Sequence, residues 1–442
     1  MRKAFMLGAV LWASPAFAAV SRDSAIVAVD HWRRLGDTTL DRLMDQALLA
    51  NQEIRLADAR IKGARAVRLA AGLDLAPTVT FAGGYSRQRL PRSVASAGPA
   101  TFPDQDIWDG GVDASWELDL FGRLRNGFKA RGGFVAAARE DLRDVQIVLL
   151  ADLAQAYFDL RGAQEQLDVA RRNGANQRRT LEVTRQRLEA GRGTAFDTER
   201  AQAQLSFTLA TIPGLETRVA AAQHRIGVLI GRSPAIAAGE LGAAAPLPAL
   251  PATIEIANPD SVVRLRPDVV AAERRLGAER ALVRSVKADY LPRVTLLGSA
   301  GFSATALDSL GERGSFRYAV GPVVTWPLFN LGRVKAGVDL SRARRDEAQA
   351  RYEFAVLQAQ QELESAIIRY RSAQARVVQI EAAAVASERA AELARLRFTE
   401  GAADFLQVLD AERTQLEAQD QLAQARTDAA TAYAGLYRAV GG

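Results

Sequence analysis

The chain has 442 residues, a net charge of +6 and no cysteine, so it must be held by packing or assembly and not by disulfides. It is rich in Ala, Arg, Leu, Gln and Glu with few aromatics, the composition of long helices or coiled coils. Its basic residues are interspersed with acids and form no dense Lys/Arg run, which argues against a nucleic-acid partner and for solvated helix faces.

The N-terminus reads as a secretory signal over residues 1–18. Arg2 and Lys3 supply the positive start, Ala4 to Trp12 a short apolar run, and Ala16-Phe17-Ala18 a small-x-small cleavage pattern. The apolar run is too short to anchor in a bilayer. The mature chain is therefore expected in the periplasm or beyond. No later stretch reaches about 18 consecutive apolar residues, so any membrane role must come from strands.

A duplication organises everything after the signal. WELDLFGRLRNGF starts at Trp116 and WPLFNLGRVKAGV at Trp326, a shift of 326 − 116 = 210 residues. The same shift carries Gly191 onto Gly401 and Ala201 onto Ala411. Upstream the shift is 215, with Pro77 facing Pro292 and Val79-Thr80 facing Val294-Thr295. The difference falls in the loop LPRSVASAGPATFPDQD, where an insertion is tolerated. The first repeat fills residues 19–234, an Ala/Pro-rich linker 235–260, and the second repeat 261–442.

Each repeat is expected to run helix, two strands, long helical hairpin. Asp37 to Leu75 and Ser261 to Tyr290 read as helices that stop before a proline. Strands follow at about 78–89 and 107–118, and again at about 293–303 and 315–328. Along the second of these, Trp108, Gly110, Val112, Ala114, Trp116 and Leu118 share one face, while Asp109, Gly111, Asp113, Ser115 and Glu117 share the other. A soluble β-sandwich also alternates. An acidic reverse face suits a wet lumen better, and paired Trp116 and Trp326 suit an interfacial aromatic girdle. Four strands cannot close a barrel, and an open sheet cannot sit in lipid, so a membrane reading demands several copies of the chain.

Hairpins are expected over 127–231 and 334–440. Residues 127–190 lack proline and repeat apolar residues at helical spacing (Val145, Leu149, Leu153, Tyr157, Leu160, Leu167), enough for about 95 Å of helix. Residues 334–400 do the same with Leu357, Leu363, Ile367, Tyr370, Val377 and Ile380. Both long helices end at a glycine, Gly191 or Gly401, where a left-handed residue closes the last turn.

Four segments carry a family resemblance: WELDLFGRLR (116–125), LRPDVVAAERRL (265–276), YLPRVTLLG (290–298) and TEGAADFLQVLDAER (399–413). In order and across nearly the whole mature chain, they resemble the outer-membrane factor family, closest to the OprM/NodT-type branch of TolC-like channels. The resemblance implies a mainly α fold with a β-barrel portion: a long periplasmic α-helical barrel, and four strands per chain joining a trimeric twelve-stranded barrel in outer-membrane lipid. It implies a homotrimer that docks to a periplasmic adaptor and an inner-membrane pump. The Arg266-Pro267-Asp268 segment leans toward a pump of the resistance-nodulation-division kind. It further implies a periplasmic gate at Leu406, Asp410 and Arg413, with Asp410 carboxylates ringed around the pore. Adaptor-contacting tips are implied at Gly191, Gly193, Gly401 and Asp404. Read without the family, Asp410 and Arg413 are a surface ion pair one turn apart. The chain departs from that branch in lacking a lipidation cysteine.

Catalysis finds no support in the sequence. The two histidines, His31 and His224, lie far apart, no metal-ligand cluster or phosphate loop appears, and no cofactor is expected. The function implied is an exit duct of a tripartite efflux system. The alternatives are a periplasmic coiled-coil adaptor or a duct for type I polypeptide secretion.

Overall fold

A strand pair flanked by helices emerges twice along the chain, as the duplication requires. The computed structural model describes residues 31–89, 104–251 and 259–442. The signal segment, the long strand loop and part of the linker lie outside them. The first repeat contains α1 (Thr38–Ala50), α2 (Gln52–Leu73), β1 (Thr78–Gln88), β2 (Gln105–Leu118), α3 (Arg123–Glu189) and α4 (Ala195–Leu229). A short helix, α5 (Pro234–Glu240), opens the linker. The second repeat contains α6 (Pro259–Leu265), α7 (Pro267–Lys287), β3 (Arg293–Ala304), β4 (Phe316–Thr325), α8 (Leu331–Thr399) and α9 (Phe405–Val440).

Two units share these elements, and each draws on both repeats. One comprises residues 57–141 and 267–357, the other the remaining described residues. The first unit holds a single antiparallel sheet in the order β1-β2-β3-β4. The fourth strand stops at Thr325, short of the expected 328, where its partner runs out: Thr325 pairs Arg293, the first residue of β3, which follows Pro292. A 3-10 turn over Leu328–Asn330 follows instead.

The second unit is helical, with a core of Trp32, Leu40, Leu43, Met44, Leu153, Tyr157, Phe158 and Leu160. His31 belongs to it, stacked on Tyr433 and 2.8 Å from that phenol through Nε2. Within this unit α3 of the first repeat meets α9 of the second along a polar seam. Gln166 donates to Asp420 at 2.8 Å, Asn173 to Gln419 at 3.0 Å and Thr180 to Glu412 at 2.9 Å. At Gly162 the seam is tightest: a Cβ there would lie 1.9 Å from the Thr427 hydroxyl oxygen.

Each helix expected before the strands is in fact broken, at Asn51 and at Arg266. The two positions differ by 266 − 51 = 215 residues and are the same place in the repeat. Asn51 adopts an extended backbone, its side-chain oxygen accepts from Glu53 and Ile54 N–H, and its amide donates to the Leu229 carbonyl at 2.8 Å. Arg266 precedes Pro267, whose ring disfavours helical backbone before it. Its guanidinium donates to the Ala439 carbonyl at 3.2 Å. Both buried polar side chains thus satisfy the last turn of the returning helix of their own repeat, where carbonyls lack intrahelical partners.

Candidate functional site

The sheet sorts its side chains by chemistry across all four strands. Directly paired residues point to one side, so the register fixes which residues share a face. Phe81 pairs Val112, and Tyr85 pairs Trp108. Val112 in turn pairs Ala300, and Trp116 pairs Leu296. Ala300 pairs Tyr318, Val294 pairs Val324 and Phe302 pairs Phe316. One face is therefore apolar from edge to edge, and it is exposed: Phe81 by 78% and Tyr318 by 74%. The reverse face carries Thr80 opposite Asp113, Gly84 opposite Asp109, and Ser299 opposite Asp113. Asp109 pairs with Arg317 at 3.4 Å, and Glu117 takes two bonds from Arg123 at 2.8 and 2.6 Å. Such a sheet suits hydrocarbon on one side and water on the other.

Trp116 and Trp326 close the corners where helix passes to strand. Each indole N–H donates to a backbone carbonyl, Leu75 at 2.9 Å and Tyr290 at 3.1 Å. Both tryptophans remain partly exposed, as do Leu120, Phe121 and Phe329, which follow them closely in the chain. The two tryptophans therefore lock the corners as well as lining the exposed end of the sheet.

The hairpin tips are two copies of one turn. After α3, Gly191 N–H donates to Leu188 O and Arg192 N–H to Arg187 O. After α8, Gly401 N–H donates to Phe398 O and Ala402 N–H to Arg397 O. Both glycines have positive φ, 67° and 78°, which an L side chain adopts only under strain. Thr194 and Asp404 then cap α4 and α9, accepting from Asp197 N–H and Leu406 N–H. Gly193 is closely approached, since a Cβ would sit 3.2 Å from Leu188 N. Behind the tips lies an apolar cluster of Leu181, Ala201, Leu205, Phe398, Phe405 and Val408. Arg187 joins the tips: its guanidinium lies 4.0 Å above the Phe398 ring and donates to Phe398 O at 2.7 Å.

On α9, Leu406, Asp410 and Arg413 fall on the exposed side. Asp410 and Arg413 pair at 3.1 Å with side chains 72% and 59% exposed. Phe405, Val408, Glu412 and Gln415 occupy the buried side. Sequence reading passed over Glu412. Its carboxylate is 3% exposed and accepts from Arg395 Nε at 2.8 Å and from Thr180. The signal was available in the spacing 405, 408, 412, 415, a helical core phase that continues onto two polar residues. Arg266 and Pro267 of the Arg266-Pro267-Asp268 segment stand at a helix break.

Comparison with known proteins agrees with this geometry. The family model described as Outer membrane efflux protein matches residues 43–232 and 258–442, nearly all of both repeats. The toluene efflux pump outer membrane protein TtgF of Pseudomonas putida is 32% identical over 409 residues, covering 92% of this chain and 84% of the relative. Outer membrane protein OprJ of Pseudomonas aeruginosa is 30% identical over 426 residues, covering 96% and 88%. The solved outer-membrane channel OprN superposes with a TM-score of 0.87 at 37% identity, covering 93% of this chain and 92% of that one. The periplasmic-adaptor alternative falls with these matches. The chain belongs to the outer membrane efflux proteins, with a four-stranded share of β-barrel and a long helical portion, and serves as the outer-membrane exit duct of an efflux system.

Proposed function

We propose that three copies of this chain close into a twelve-stranded barrel in outer-membrane lipid and a helical tunnel in the periplasm. The duct passively conducts small molecules delivered by an inner-membrane pump of the resistance-nodulation-division kind through a periplasmic adaptor. It performs no catalysis. The turns at Gly191, Gly193, Gly401 and Asp404 meet the adaptor, and Leu406, Asp410 and Arg413 form the gate at the tunnel's periplasmic end. Trp116 and Trp326 belong to the girdle at the membrane interface.

The observation that carries this reading is the sheet. Its apolar face is continuous over four strands, yet β1 and β4 are both edges within the chain. Edge strands in hydrocarbon leave backbone groups unsatisfied, and four strands are too few to close. Pairing β4 of one copy with β1 of the next removes every edge. The exposed side of α8 supports the same assembly. Leu340, Phe354, Ile368 and Leu396 are separated by multiples of seven, with Leu357, Val378 and Val385 in a second row three residues on. A seven-residue apolar repeat seeks a neighbouring helix in a left-handed supercoil.

Membrane fractionation with an unboiled denaturing gel tests the proposal. The expected result is an outer-membrane protein whose unboiled band runs near three chain masses and collapses to one on boiling. A soluble periplasmic protein, or a monomer band without heating, overturns it.

A further inference from the structure

The two tips differ in one respect that the duplication makes informative. Arg187, in the last turn of α3, donates to the carbonyls of Phe398 and Thr399 at the end of α8, at 2.7 and 3.4 Å. Its repeat counterpart is Arg397, since 397 − 187 = 210. Arg397 occupies the same place in the last turn of α8, is exposed, and has no partner among the described residues. The counterparts of the two acceptors are Leu188 and Glu189, since 398 − 188 = 399 − 189 = 210. Both are exposed at the end of α3.

We infer that Arg397 of each subunit caps the Leu188 and Glu189 carbonyls of the next subunit, closing the ring of tips between chains as Arg187 closes it within one. The inference rests on the trimeric reading. In a closed ring of duplicated chains, hairpin one meets hairpin two inside a chain, and hairpin two meets hairpin one of the neighbour. The local chemistry transfers because the turns are the same. Phe398 O already accepts both the Gly401 N–H at 3.0 Å and the Arg187 guanidinium. Leu188 O accepts the Gly191 N–H at 3.0 Å in the same way, leaving its second lone pair for an outside donor. A cation at a helix C-terminus is also favoured by the aligned peptide dipoles.

The rungs are unequal in strength. Arg187 stacks on an aromatic ring, whereas Arg397 meets Leu188, which has no π face. The three rungs between subunits are thus the weaker ones, and the ring parts there first.

The absence of cysteine permits a clean test. In the full-length protein in detergent, the pair Arg397→Cys with Glu189→Cys is treated with a short bismaleimide. Its repeat-equivalent control is Arg187→Cys with Thr399→Cys. The control is expected to close within one chain and keep monomer mass on a boiled gel, while the test pair gives dimers and trimers. A test pair that stays monomeric while the control closes overturns the inference. An unboiled denaturing gel of the same preparation separates the two failures. A trimer band there means that only the Arg397 contact is wrong, and its absence means that the trimer is wrong as well. If the control does not close, Arg397→Ala decides. The inference expects the trimer to dissociate a few degrees lower than the parent, and an unchanged dissociation temperature overturns it.

Discussion

Trp116 donates its indole N–H to the carbonyl of Leu75 at 2.9 Å, tying the C-terminal end of β2 to the chain leaving α2. The second repeat makes the same bond between Trp326 and Tyr290 at 3.1 Å. Donors and acceptors obey the separate shifts, 210 for the tryptophans and 215 for the carbonyls, so the corner was conserved through the insertion between them. Trp→Phe at either site keeps the ring and removes the donor. We expect each to cost about 0.5–1.5 kcal/mol, toward the lower end because the sites are exposed. The two losses should add in the double variant, read as trimer dissociation temperatures.

Gly231 ends α4 and lies against the break after α1. Its φ is 69°, and a Cβ there would lie 2.4 Å from the backbone oxygen of Ala50. Gly36 has nearly the same φ, 70°, with nothing within 4 Å. The pair separates backbone strain from crowding. Gly36→Ala should cost about 1–2 kcal/mol from the left-handed backbone alone. Gly231→Ala should cost at least about 3 kcal/mol, because backbone cannot yield as a side chain does. Equal losses in thermal unfolding would refute the steric account.

Arg395 and Glu412 form an ion pair with unequal burial, 33% and 3% exposed. Removing Arg395 leaves a buried carboxylate with only the Thr180 hydroxyl, and Glu412 Oε2 has no hydrogen-bond partner among the described residues. Removing Glu412 leaves a guanidinium one-third exposed and still donating to Gln415 at 3.0 Å. Arg395→Ala is therefore expected to be the worse variant, costing about 3–5 kcal/mol, with Glu412→Ala clearly milder. Chemical denaturation of the two in parallel decides the order.

These sites mark how far the sequence could be read. Strand faces were legible because side-chain alternation has a period of two, and the register then lined up the apolar residues of all four strands. The tips were legible because Gly191 and Gly401 stand at matching ends of long proline-free runs. The helix breaks at Asn51 and Arg266 were not legible from local pattern alone. Asn51 sits inside helical periodicity, and what fixes the breaks includes the carbonyls of Leu229 and Ala439, 178 and 173 residues away. Only Pro267 announced one of them. The buried phase of Glu412 was legible in its spacing from Phe405 and Val408, but its partners Arg395 and Thr180 are brought by other helices and were not.

His31 gives the helical unit a pH response. Burial first, and the nearby Arg34 charge second, hold its imidazole below the ordinary value of 6.5. It faces the Tyr433 hydroxyl at 2.8 Å and the rings of Trp32 and Tyr437. A depressed histidine pKa means that the unfolded chain binds more protons between the folded and unfolded values. Stability is then full above about pH 6.5, falls as pH drops toward the folded value, and levels off below it. His31→Gln should flatten that part of the curve, measured as denaturation midpoints at about pH 7.5 and about pH 5. The difference between variant and parent isolates His31, because the acidic groups titrate in both. A slope unchanged by the substitution would remove His31 as its source.

Asp410 offers the sharpest separation of function from folding. Its partner Arg413 is 3.1 Å away and also within 3.9 Å of Glu417, but all three side chains are more than half exposed. Exposed pairs contribute about 0–1 kcal/mol, so Asp410→Ala should leave thermal stability nearly unchanged. If three Asp410 carboxylates ring the pore at its narrow end, the substitution removes both their side-chain bulk and their attraction for cations. Single-channel conductance in planar bilayers is then expected to rise, while the preference for cations over anions falls. Asp410→Asn keeps the bulk and removes the charge, so it should lower the ion preference with a smaller rise in conductance. Parent-like conductance and selectivity in both variants would place the gate elsewhere and leave Asp410 as an ordinary surface partner of Arg413.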